Sequence, residues 1–355
     1  MSARHFLSTV PSTLLLLTVG SLLVGADCLG SLVDDDDGEP LLFATDGGVL
    51  ARFSGTPVEA LPVWRGTIDA SNSVSMVDDG STTYVGAGST VSAFLLDAAD
   101  EQQAVWTWSA PDSVVAMAGP GNGLVFVMTT STLHGLATDG GEIWSVDLLI
   151  DLSGVADTAL GFDGGDLILG GDPTRRLDPG TGGVTHTIDT GSSDVSDVHV
   201  QGGVAYMATA TGVLAATSST LDEQWFHSTD AEVDALAVTG TAVGYAVRGG
   251  VVGVLATGGN PVFDSGSDTG VFDGLILAQN LLIAARNDGS LIAWDEANGE
   301  EVWAEDHAGP VGALDANEVT IFYGHGGDLE ALNLSDGSTL WTLTSTGDPV
   351  AVTAL

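Results

Sequence analysis

The 355-residue chain sets 48 Asp and Glu against seven Arg, with seven His and no Lys, for a net charge of −41 at neutral pH. That charge excludes a nucleic-acid backbone as partner, because phosphates are repelled, and it opposes electrostatic docking on an anionic membrane. With 44% hydrophobic residues and 49 Gly, the composition excludes a disordered chain and points to a fold with many turns.

A compact protein of this mass exposes roughly 13,000 Å², which puts the 41 net charges on the order of 18 Å apart. This spacing is far beyond the Debye length of about 3 Å at 1 M salt and within the one of about 30 Å at 0.01 M. The surface is at ease in brine and self-repelling in dilute buffer, so a salt-adapted origin is expected.

In chain order, Arg4 and His5 precede a stretch without charge from Phe6 to Ala26, with its densest apolar run at Leu14 to Val24. The pattern is that of an export signal. Val24 and Ala26 suit cleavage and secretion. Cys28, the only cysteine, stands where lipid could be attached, although Asp27 before it is unusual there, and an uncut segment could span a bilayer. Residues 1–28 are thus expected to be an export signal or a membrane or lipid anchor, with Cys28 as the possible attachment point. Residues 29–40, which include Asp34 to Asp37, are expected to be an acidic tether, since a bare DDDDG lacks the spaced ligands of a Ca²⁺ loop.

From Leu41 on, the sequence repeats. Trp64, Trp106, Trp144, His186, Trp225, Phe263, Trp303 and Trp341 occupy one equivalent position, 38 to 42 residues apart. Around it each unit offers short strands of apolar alternating with small or polar residues, punctuated by Asp-Gly, Gly-Gly or Asn-Asp-Gly turns. Long amphipathic helices are absent from the repeats. The expected fold is all-β, an eight-bladed β-propeller of four-stranded antiparallel blades over residues 41–355. The apolar strand Val350 to Leu355 is expected to join the N-terminal blade and close the ring, leaving no long unpaired edge.

The last two units carry Gly289, Leu291, Ala293, Asp295, Gly299 and Trp303, then Gly327, Leu329, Ala331, Asn333, Gly337 and Trp341. This run resembles the repeat of the pyrroloquinoline quinone (PQQ)-like propellers, a family of quinoprotein dehydrogenases and non-enzymatic envelope proteins. The resemblance implies that the eight repeated positions dock one blade against the next, a job that suits a large ring with one N–H to satisfy. Trp108 and Trp294 lie off this position and stay open to a binding role.

The dehydrogenases of the family carry a vicinal disulfide, a Ca²⁺ site and long insertions, whereas this chain has one cysteine and regular spacing. No catalytic, cofactor-binding or metal residues are therefore expected, and no cofactor. The seven His are scattered without the short spacing of metal ligands, and His307 and His325 read as turn residues open to solvent. The Gly-rich stretches precede no helix and read as hairpins rather than phosphate loops. The expected role is a non-catalytic binding platform or assembly scaffold outside the cytoplasmic membrane, anchored at the cell surface or secreted. Its partners would be other envelope proteins, with membrane contact only through the N-terminal segment. A PQQ-dependent alcohol or sugar dehydrogenase and a surface-layer or capsid component are the alternatives.

Overall fold

The computed structural model describes residues 41–53, 64–69, 74–97, 103–148, 159–190, 195–266, 271–307, 309–345 and 347–354, which form thirty-two strands. The expected export signal or anchor over residues 1–28, with Cys28, and the expected tether over residues 29–40 lie outside the described residues. No helix among the described residues is long and apolar enough to cross a membrane.

The strands pair antiparallel in eight sheets of four. Blades 2 to 8 take consecutive strands, over 74–109, 114–147, 160–188, 195–228, 233–264, 272–306 and 311–344. Blade 1 combines the strands Leu41–Thr45, Val49–Phe53 and Trp64–Thr67 with Pro349–Ala354. The expected closure is present: Leu41 pairs with Ala354 and Phe43 with Val352, so the last strand is the innermost of the first blade. The joint is locked at its turn, where Asp46 N–H donates to the Asp348 carbonyl and Asp348 N–H to Asp46 Oδ1, both at 2.9 Å. Each innermost strand contacts those of the two neighbouring blades, and the series returns from Pro349–Ala354 to Val74–Asp78. The ring is therefore complete. The repeat visible in sequence is out of phase with the blade, since it joins the last two strands of one blade to the first two of the next.

The core lies between blades, not within one. Buried apolar side chains form eight clusters, one at each seam. The middle strands are covered on both faces, which is why Leu281–Arg286 and Ser290–Asp295 read as nearly unbroken apolar runs. An outer strand has one covered face, and Glu301–Asp306 accordingly alternates around the buried Trp303.

Six innermost strands carry a β-bulge after their first residue, at Val115, Ser196, Asp234, Asp273, Gly312 and Val350. A bulge turns one side chain out of the regular alternation. Ser196 uses that freedom to donate its hydroxyl to the Val233 carbonyl of the next blade, at 2.6 Å.

Candidate functional site

Four of the repeated tryptophans make the same contact. The indole Nε1–H of Trp106 donates to the Thr138 carbonyl of the following blade at 2.9 Å, that of Trp144 to Pro179 at 2.8 Å, that of Trp225 to Thr257 at 2.9 Å and that of Trp303 to Leu334 at 3.0 Å. Each acceptor lies in the turn before the next blade's outer strand. That turn contains a glycine with positive φ against which the ring lies, as Gly337 at φ 72° lies against Trp303. Phe263 packs on Gly299 in the same way without a polar contact, and Trp341 joins the apolar cluster between blades 8 and 1. Trp64 opens the outer strand of blade 1.

His186 departs from the expected docking position. It pairs with Arg176 in the outer strand of blade 4, but its side chain is exposed. The seam is filled from the other side by Leu221, buried among Ile168, Val195 and Leu214 and held at φ 56° where the neighbouring turns have glycine. The two tryptophans off the repeat position are also packing groups. Trp294 is buried between blades 6 and 7. Trp108 lies edge-on to His134 with ring centroids 4.9 Å apart.

The innermost strands enclose a central channel of roughly 630 Å³. Its wall is mostly small or apolar, with Ala116, Gly161, Val198, Ala235 and Gly274, and its polar side chains are those of Ser75, Asp197, His199 and Asp234. Asp197 is buried, and its Oδ2 accepts the Leu236 N–H of the next blade at 2.8 Å while lying 3.5 Å from His199 Nε2. Loss of hydration in the channel disfavours the charged imidazole, but the Asp197 carboxylate outweighs it and raises the His199 pKa above the usual value. Asp234 faces Arg248, which also pairs with Glu232. The channel thus offers one acid–base pair, Asp197 with His199, in a wall of mostly small or apolar residues.

Sequence spacing missed a second polar group. His307 and His325, expected in solvated turns, both lie in the seam between blades 7 and 8, where their side chains are only 13% and 9% exposed. The two residues belong to neighbouring blades, so the ring closure that packs the sheets together brings them to 5.2 Å between ring centroids. Tyr323 and Glu330 complete the group.

A family model described as outer membrane protein assembly factor BamB matches residues 247–354. No curated protein sequence matches the chain. Among solved structures, the computationally designed Ika8 protein superposes with a TM-score of 0.68 at 17% identity, over 78% of this chain and 88% of that one. BamB from Moraxella catarrhalis superposes with a TM-score of 0.68 at 16% identity, over 82% and 92% of the two chains. Sqt1 from Saccharomyces cerevisiae gives 0.65 at 10% identity, over 79% and 86%. At such identities the likeness is one of fold. Residues 247–354 are PQQ-like repeats, and the described residues fold as a β-propeller of eight blades.

Proposed function

We propose that the protein is a non-catalytic binding platform or assembly scaffold of the cell envelope, held outside the cytoplasmic membrane of a salt-adapted organism. The match of residues 247–354 to an outer membrane assembly factor supports the envelope reading. The observation that carries the binding role is a repeated apolar rim. Val105, Ile143, Val262, Val302 and Leu340, each directly before a docking position, are all exposed, on strands or strand ends at the free edges of their sheets. An edge strand with outward apolar residues is a place where a partner can add a strand and seat its own side chains. In strong salt, charge attraction is screened while apolar contact is preserved or strengthened, so a brine-adapted partner would use such a rim. The repeated rings, by contrast, are spent on holding blades together.

The test is retention of defined envelope proteins from native membranes in about 3 M KCl, comparing the parent with Val302→Asp combined with Leu340→Asp. Both positions are exposed, so the fold survives. The expected result is a specific partner held by the parent and lost from the variant. Equal retention, or a tightly bound chromophore after addition of PQQ and Ca²⁺, would overturn the reading.

A further inference from the structure

The group between blades 7 and 8 has the makings of a metal centre. His307 follows the outer strand Glu301–Asp306 of blade 7, while His325 ends the strand Thr320–His325 and Glu330 lies in Asp328–Asn333, both in blade 8. One ligand-type atom from each of the three lies within 4.8 Å of the other two. His325 Nε2 is 3.3 Å from Glu330 Oε1, and His307 Nδ1 is 3.8 Å from Glu330 Oε2. Two donors bound at about 2.0–2.1 Å to a tetrahedral ion are roughly 3.3 Å apart. The separation of His325 Nε2 from Glu330 Oε1 is therefore close to what such an ion requires.

The hydrogen bonds fix the state of one ligand. Tyr323 donates its single hydroxyl hydrogen to Glu330 Oε2 at 2.7 Å, because a carboxylate can only accept. The phenol oxygen must then accept from His307 Nδ1–H, 2.5 Å away. In the neutral ring this leaves Nε2 with a bare lone pair, and that atom is buried without a hydrogen-bond partner. An imidazole whose far nitrogen is tied to a hydrogen-bonding oxygen is the arrangement in which histidine serves as a metal ligand. Glu305, Asp306 and Asp328 add negative charge around the group.

We propose that His307, His325 and Glu330 bind a divalent transition-metal ion of the zinc class, with Tyr323 orienting His307, and that the ion ties blade 7 to blade 8. Two imidazoles with one carboxylate suit zinc, cobalt or nickel, whereas Ca²⁺ and Mg²⁺ prefer all-oxygen sites. Three protein ligands leave a fourth position for water or for a side chain of a bound partner. The seam between blades 5 and 6 supplies an internal control. There Tyr245 donates to Asp264 and lies 3.5 Å from His227 Nε2, but only one imidazole is present.

The full chain, stripped of metal and kept in KCl with excess Mg²⁺ to occupy surface carboxylates, is titrated with Zn²⁺ and separately with Co²⁺. The expected result is a single zinc per chain that Mg²⁺ does not displace, and a Co²⁺ visible spectrum of four-coordinate intensity. His325→Ala and Glu330→Gln should each weaken zinc binding at least about tenfold, with Tyr323→Phe in the range of about ten- to a hundredfold. His227→Ala should leave it unchanged. Circular dichroism in brine identifies variants that keep the fold. Zinc displaced from the parent by Mg²⁺, or folded His325→Ala binding zinc as tightly as the parent, overturns the proposal. So does an octahedral Co²⁺ spectrum identical in the parent and Glu330→Gln.

Discussion

Leu221 occupies, in the turn of blade 5, the position that Gly140, Gly182, Gly259, Gly299 and Gly337 hold in other blades, and the residue that would press on it from blade 4 is His186. Both halves of the docking contact have changed together. A left-handed conformation costs a leucine about 1–2 kcal/mol, and the burial of its side chain to 3% exposure offsets that cost. Leu221→Gly alone should destabilise, since the lost side chain and the cavity it leaves outweigh the relieved backbone by about 1–3 kcal/mol. His186→Trp alone should destabilise too, because the ring meets Leu221. The double variant should be more stable than the sum of the two changes predicts, by about 1 kcal/mol or more. Chemical denaturation in brine measures the cycle, and additive effects would show that the two positions do not share one seam.

The regular contact can be tested at Trp303 and Gly337. A Cβ added to Gly337 would lie 2.9 Å from Trp303 Cε3, at a φ of 72° that L side chains avoid. Gly337→Ala is expected to cost about 2–3 kcal/mol. Trp303→Phe keeps a ring in the seam but leaves the Leu334 carbonyl without its donor, for a loss of about 1–2 kcal/mol. If Gly337→Ala unfolds at the parent's denaturant midpoint, the ring and the turn are not in the contact described.

The period of the tryptophans made the architecture legible, because a blade cannot bury both faces alone and must present the same ring to each neighbour. The closing strand could be read for the same reason, as the element that the first unit lacked. What local patterns concealed was geometry across seams. His307 and His325 are separated by two strand boundaries, and only the superposition of blades makes them neighbours. A signal was present: Tyr323, His325 and Glu330 crowd polar groups into two middle strands whose counterparts elsewhere are mostly small and apolar. Trp108 and Trp294 were misleading in the opposite direction, since aromatic residues off the repeat position proved to be packing groups. The bulges that turn Ser196 and Asp234 sideways leave no mark on local composition.

Salt dependence follows from the surface. Arg176 and Arg248 are each committed to carboxylates, at 2.7 Å from Asp166 and from Asp234 respectively, so few cations offset the 48 acidic residues. Melting temperature should rise steeply between about 0.1 M and about 3 M KCl, as screening removes repulsion in the folded state. Equal melting at the two concentrations would sink the salt-adapted reading.

Two histidines should give stability opposite slopes with pH. His199, in the channel beside Asp197 and with Asp234 in the same wall, loses hydration but gains more from the carboxylate, and its pKa is raised above 6.5. The folded state then binds a proton that the unfolded chain releases. Its stabilisation is complete below the unfolded value and is lost as pH rises through the folded one. His134, buried against Trp108, is shifted the other way by lost hydration, with Glu142 at 3.4 Å opposing only in part. There the unfolded chain takes up the proton first, so stability is lost as pH falls below 6.5. Melting curves from about pH 5 to about pH 8.5 for the parent, His199→Gln and His134→Gln separate the two. The advantage of the parent over His199→Gln should shrink towards alkaline pH, and its advantage over His134→Gln should shrink towards acid. Parallel curves for the parent and His199→Gln would mean that Asp197 holds no proton on the imidazole, and the channel would lose its acid–base pair.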